Sequence, residues 1–158
     1  MSVFFLGSEI CEVGADGSIA IPAFLNEAIA SDPADILVAK HESDACLIGY
    51  GRDHLARLAE RNERRRLDGE ARGEDARGHY NRMRRSFALT DRMPRDAARL
   101  TLSAAMRHLG KIGSHALFVG TGDSFEIWNP QIAMQCDDEQ FRELATFRFD
   151  SLSAQGVH

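Results

Sequence analysis

Asp16-Gly17-Ser18-Ile19-Ala20-Ile21-Pro22 carries a turn, a three-residue β pattern and a helix start in seven residues. Gly17 follows Gly14-Ala15-Asp16 in a turn signal. Ile19 and Ile21 flank Ala20 with the period of a strand. Pro22 suits a helix start, where its missing N–H would be unpaired anyway. The pattern returns 81 residues later as Ala97-Ala98-Arg99-Leu100-Thr101-Leu102. Ser103 to Gly110 then reads as a second short helix, with Ser103 as its N-cap and Gly110 as its C-terminal glycine.

The echo extends in both directions. Before the first turn, Phe4-Phe5-Leu6 and the imperfect alternation of Ser8 to Val13 read as strand. After it, Ala23 to Ala30 places Phe24, Leu25, Ala28 and Ile29 on one helical face. Ser31-Asp32-Pro33 is expected to end that helix. Ile36 to Ala39 and Cys46 to Tyr50 are β-type runs around a polar turn, His41 to Asp44. Their counterparts are Ala116 to Gly120 and Phe125 to Trp128, around Thr121 to Ser124. Leu117 lies 80 residues after Leu37, and Phe125 lies 79 after Cys46. An offset this steady over three elements predicts a tandem repeat of a β-β-α-β-β unit. Each unit is small for an independent core, so the two are expected to pack together. The expected organisation is a first repeat at 4–50, a charged helical connector at 51–86, a second repeat at 87–130, a C-terminal helix within 131–150 and a disordered tail at 151–158.

The connector changes character. Leu55, Leu58 and Ala59 sit at helical spacing, and Tyr80, Met83 and Phe87 resume it. Leu67 to Gly78 is poor in apolar residues and predicts a break. The segment from Arg52 to Arg85 holds eleven arginines against seven acids, a net +4. The rest of the chain has eight basic and seventeen acidic residues, a net −9, so the total of −5 averages two unlike regions. Two readings fit: a solvated helix face laced with i,i+4 ion pairs, or a surface that meets phosphate.

Several function classes fall away. No apolar run approaches the roughly 18 residues of a membrane span. Met1 to Gly7 lacks the basic start of a signal peptide. Cys11, Cys46 and Cys136 are too scattered for a disulfide framework or a zinc site, which fits a reducing, cytoplasmic compartment. The six histidines show no metal spacing, Gly120-Thr121-Gly122 lacks the lysine of a phosphate loop, and neither Ser103 nor Ser124 has the context of a nucleophile. An enzyme is not expected, nor is a cofactor, metal or small-molecule ligand.

The layout resembles the MraZ family, whose members carry two tandem swapped-hairpin units of AbrB type. Phe5-Leu6-Gly7, Gly17-x-Ile19-x-Ile21-Pro22, Arg99-Leu100-x-Leu102 with Arg107, Leu117-Phe118-Val119-Gly120 and Phe125-Glu126-Ile127-Trp128 fall in the family's order over about residues 4–145. The resemblance implies an α+β fold in which two β-β-α-β-β repeats form one pseudo-symmetric, barrel-like unit. It implies a cytoplasmic, nucleoid-associated transcription regulator. Such a protein forms a ring of subunits and binds repeated double-stranded DNA elements upstream of the cell-division and cell-wall gene cluster. Each family repeat places Asp-x-x-x-Arg before its central strand, with the arginine toward DNA. Here Gly14 and Ser18 occupy those positions in the first repeat, and Arg95 and Arg99 in the second, with Ala98 for the usual glycine. A later family arginine is Asn26 in the first repeat and Arg107 in the second. Arg99, Arg95 and Arg107 are therefore the expected nucleic-acid contacts, Arg92 adding to the patch; read without the resemblance, Arg107 on its short helix holds carboxylates or carbonyls between the repeats. Arginine's planar fork suits phosphate and guanine edges. The missing first-repeat arginines also motivate a second reading: an interaction module that keeps the ring-forming fold without DNA contact.

Overall fold

Apolar residues alternate between two layers along the strands, and that alternation builds two cores. In the computed structural model, which describes residues 4–30 and 36–154, Phe118, Ile127 and Leu47 join one cluster with Val38, Leu100 and Phe125. Their sequence neighbours Leu117, Trp128 and Cys46 form the second cluster on the opposite face, with Ala133 and Ala145. Successive strand side chains point to opposite faces, so a continuous apolar run such as Ala116-Leu117-Phe118 is buried on both sides.

The first half runs β1 (Ser8–Glu12), β2 (Ser18–Ala20), α1 (Ala23–Ile29), β3 (Ile36–Lys40) and β4 (Leu47–Tyr50). Three helical pieces follow: α2 (Arg52–Ala71), α3 (Ala76–Met83) and a π-helical turn (Arg84–Ala88). The second half runs β5 (Thr90–Met93), β6 (Arg99–Thr101), α4 (Ala104–Leu109), β7 (His115–Gly120) and β8 (Phe125–Trp128), before α5 (Pro130–Ala133) and α6 (Glu139–Ala154). The order β-β-α-β-β thus occurs twice. All pairing is antiparallel, in a six-stranded sheet of order β1-β7-β8-β4-β3-β5 and a separate β2–β6 ribbon. Exchanging β1 with β5, β2 with β6, β3 with β7 and β4 with β8 maps this pairing onto itself. Among the described residues β1 pairs only with β7, β5 only with β3, and β2 only with β6, so the two halves interleave.

Several expectations need correction. Among the described residues no ladder joins β1 to β5, so the sheet is open rather than closed as a barrel. The separate ribbon lies beside it, centred on Ile19 opposite Leu100, both fully buried. The first strand of the second repeat has no signal of its own, because Thr90-Asp91-Arg92 has no apolar period; β5 forms there against the open edge of β3. Ser103 does cap α4, its Oγ accepting from Met106 N at 3.2 Å. Gly110, however, is right-handed at φ −87°, and Lys111 takes the left-handed position at φ 54°. Glycine is needed at 110 for space: a Cβ there would lie 2.6 Å from Leu47. Asn129-Pro130 ends β8 and at once starts α5, Asn129 Oδ1 accepting from Gln131 N at 2.9 Å. The tail expected from Ser151 begins instead as helix, since α6 continues to Ala154. Ser151 Oγ bonds back to Phe147 O at 2.8 Å within that helix. The expected end of α1 at Ser31-Asp32-Pro33 lies outside the described residues.

The connector breaks within the predicted stretch. α2 stops at Ala71, Gly73 turns at φ +75°, and the Asp75 side chain caps α3 by accepting from Arg77 N at 2.9 Å. Of the predicted apolar positions on α2, Leu58 is buried and Leu55 half-buried. Asn62 continues that inner face, 1% exposed, and donates to Ser86 Oγ at 2.8 Å.

Candidate nucleic-acid interface

The two turns leading into β2 and β6 are built by aspartates. Asp16 Oδ1 accepts from Ser18 N at 3.0 Å. Asp96 Oδ1 accepts from the backbone of both Ala98 and Arg99 at 2.8 Å. These backbone donors, with Arg99 nearby, hold both carboxyls below the usual carboxylate range. Neither aspartate stands where the resemblance places one: Gly14 and Arg95 occupy those positions. The structure recovers an aspartate in each turn at a shifted position, two residues before Ser18 and three before Arg99.

Gly17 makes the first turn possible. Its φ is +87°, and an added Cβ would lie 2.2 Å from Leu102 O and 3.1 Å from Arg107 Nε. That is the close backbone approach that only glycine permits. The chain crosses here: Leu102 N donates to Gly17 O at 2.9 Å. Two arginines of the second half then reach the first-half turn. Arg99 Nη2 donates to Ser18 Oγ at 3.1 Å, and Arg107 Nη1 donates to Ala15 O at 3.1 Å. Arg99 is exposed, and among the described residues its side chain makes no other hydrogen bond. Arg107 is half-buried, with its Nε enclosed and unpartnered.

Arg95 goes elsewhere. Its Nη1 donates to Ile29 O at 3.4 Å, covering a carbonyl at the end of α1. Arg92 is exposed on β5, opposite Leu37. So Arg99 and Arg107 meet at one end of the ribbon, while Arg95 turns to α1. Ser18, standing where an arginine was expected, becomes the brace for Arg99. Asn26, the counterpart of Arg107, is exposed on α1.

A second polar cluster was not foreseen. His41 Nε2 lies 3.3 Å from Glu126 Oε2, and Trp128 Nε1 donates to Glu126 Oε1 at 2.9 Å. His41, Cys46 and Glu126 bring ligand-type atoms within 4.8 Å of one another. Yet His41 Nδ1 accepts from Ser43 N and Asp44 N at 3.1 and 3.0 Å. That assigns the ring proton to Nε2 and makes it a donor to Glu126. The cluster therefore reads as a hydrogen-bonded lock between the β3–β4 turn and β8. Burial pushes the Cys46 thiol well above its ordinary range, which further opposes metal binding at neutral pH. No linear spacing could have signalled it, because Glu126 is 85 residues from His41.

The fold is a mixed α/β class with interleaved antiparallel strands and an arginine-bearing ribbon. No protein-family model matches the chain. It is 30% identical over 128 residues to the transcriptional regulator MraZ of Rhodospirillum rubrum, covering 80% of this chain and 79% of that protein. It is 31% identical over 129 residues to the transcriptional regulator MraZ of Mycolicibacterium smegmatis, covering 80% and 82%. The chain belongs to the MraZ family.

Proposed function

We propose that the chain is a transcription regulator that binds double-stranded DNA. In this reading it works in the cytoplasm on the nucleoid, as an oligomeric ring on repeated promoter elements of the cell-division and cell-wall gene cluster. The twofold β-β-α-β-β order and the self-mapping strand pairing support a tandem pair of AbrB-type repeats. The names of the two relatives support the regulatory role. The carrying observation is Arg99: exposed, braced by Ser18 and set on a turn that Asp96 holds rigid. Arg99 is the phosphate- or guanine-facing group. Arg107 positions the first turn, and Arg95 steadies the end of α1 behind the ribbon. One strong cation per subunit is a weak site, so a ring of several subunits on repeated elements supplies the affinity through avidity.

A gel shift over a salt series, with DNA from upstream of the chain's own gene, tests this. Binding is expected at low salt, weakening steeply as salt rises. Arg99→Ala is expected to weaken it about tenfold or more, since a good arginine contact to a base contributes about 1–3 kcal/mol. Absence of a wild-type shift at low salt would rule the reading out. Ser18 and Asn26 favour the second reading, a ring-forming interaction module without DNA contact. It wins if wild type shows no shift while Ser18→Arg gains one.

A further inference from the structure

We propose that the groove between α2 and the β3–β4 hairpin binds a small phosphate-bearing anion, with Glu42 as a built-in stand-in that the ligand displaces. His54, Leu58, Arg61 and Arg65 follow i, i+4, i+7, i+11 spacing and so share one face of α2. That face looks onto a cavity of about 240 Å³, closed on its other sides by the β3–β4 hairpin and by Arg85 and Ser86 of the π-helical turn. Four cations, Lys40, Arg61, Arg65 and Arg85, line it against a single carboxylate, Glu42. Arg85 has no ion pair among the described residues.

Glu42 holds two of these cations loosely. Arg61 Nη2 lies 3.4 Å from Glu42 Oε1, and Arg65 Nη1 lies 3.3 Å from Oε2. A good guanidinium–carboxylate contact is about 2.7–2.9 Å. One polar group in the cavity wall has no partner, Arg61 Nε, while the buried Tyr50 hydroxyl lies beside Thr90. Thr90 gives its own hydroxyl proton to Ser86 O at 3.0 Å, which leaves its oxygen to accept from Tyr50. An orphaned buried donor of this kind marks a place where a further acceptor belongs. Lys40 Nζ donates to the carbonyls of His41 and Asp44, which leaves one carboxylate on an exposed turn against three arginines and the orphan Nε. A phosphate can satisfy these, with three acceptor oxygens, two negative charges and a shape that matches the guanidinium fork. Displacement of the Glu42 carboxylate frees the guanidiniums of Arg61 and Arg65 for the ligand. The cations line a recess of about 240 Å³ rather than a flat face, which favours a small molecule over DNA as the source of the phosphate. This departs from the expectation that the chain has no small-molecule partner.

Calorimetric titration of the full chain with inorganic phosphate at low ionic strength tests the site. Saturable binding of one phosphate per subunit is expected. Arg61→Gln and Arg65→Gln should each weaken it about tenfold, the usual effect of losing a charge-assisted hydrogen bond. Glu42→Gln should tighten it several-fold, because the internal competitor is weakened. Thermal melts check that each variant folds, and Glu42→Gln alone keeps the test alive if an arginine variant does not. No saturable binding by wild type overturns the proposal. So does unchanged affinity in the arginine variants, or no tightening in Glu42→Gln. If phosphate fails to bind while Arg61→Gln weakens a DNA shift, the arginines serve the DNA backbone and the small-anion site is excluded.

Discussion

Gly17 and Asp96 show how much of the ribbon rests on single side chains. Gly17 combines a left-handed backbone with contact to Leu102 O, so Gly17→Ala adds both strain and a clash. It is expected to destabilise by about 2–3 kcal/mol, read as a lower urea midpoint with unchanged slope. Asp96 works through charge. Its carboxyl is held below its ordinary value of 3.8 by the Ala98 and Arg99 amides and then by the Arg99 charge. A depressed folded-state pKa stabilises above the unfolded value and ceases to do so as pH falls through the folded value. The stability gap between wild type and Asp96→Ala should therefore be full near neutrality. It should close below the ordinary carboxylate range, and melts taken from pH 7 to pH 2 measure it. A gap that widens toward acid would contradict this assignment. Some residue roles were legible early: the Ser103 cap follows from hydroxyl chemistry at a helix start. The role of Gly110 was not, because the side chain that forbids a Cβ there, Leu47, is 63 residues away.

At the scale of elements, α2 is the least secure by composition and the most instructive. Only Leu58 and Asn62 are buried along its first three turns. Asn62 reaches Ser86 of the π-helical turn, and the two tie the start of the connector to its end. Ser86→Ala leaves the Asn62 amide without its acceptor in a dry site and should destabilise by about 1–3 kcal/mol. Asn62→Leu with Ser86→Ala should recover much of that loss, since removing both partners leaves no orphan. A double-mutant cycle from urea melts reads the coupling. Asp123 anchors the helix start from the β7–β8 turn, 3.1 Å from Arg57 and 3.4 Å from His54. Burial lowers the pKa of His54, against the pull of Asp123. The dense charge of this segment was legible in the sequence as ion pairing. Arg66 bears that out, bridging Glu63 and Glu70 at i,i+3 and i,i+4 spacing. Strand β5 was illegible for the opposite reason: it is held by the ladder of β3 and not by any period of its own.

The whole molecule presents two faces of its proposed work. Phe4, Leu6 and Phe147 are 64%, 73% and 66% exposed, large apolar side chains left uncovered in one subunit. Covering them in a ring is the natural outcome of the proposed assembly. Light scattering is expected to report a multiple of 17.5 kDa, and Phe147→Glu is expected to lower it. A wild-type monomer would count against the ring and, with it, against avidity as the source of DNA affinity. The net charge of −5 does not forbid that affinity. The field at the ribbon is set by Arg99 and Arg107 beside Asp16 and Asp96, and steering depends on local charge.

The amino-acid order settled which segments are strand, turn and helix over most of the chain, because periodicity, caps and turn residues act over a few neighbours. The near-constant offset of about 80 residues, read from Ile19, Leu37 and Cys46 onward, also announced the doubled order of elements. Pairing could not be read that way. β1 and β2 each pass over their chain neighbours to pair with β7 and β6, since burying Ile19 against Leu100 and Cys11 against Ala116 requires partners from the other half. The same holds for the sites. That Arg95 reaches Ile29 O, 66 residues away, is set by the fold, and Arg61, Arg65 and Glu42 converge only because α2 folds back over the β3–β4 hairpin. Hydrogen bonds and charge contacts are short-ranged in space and indifferent to separation along the chain, so their geometry belongs to the folded molecule.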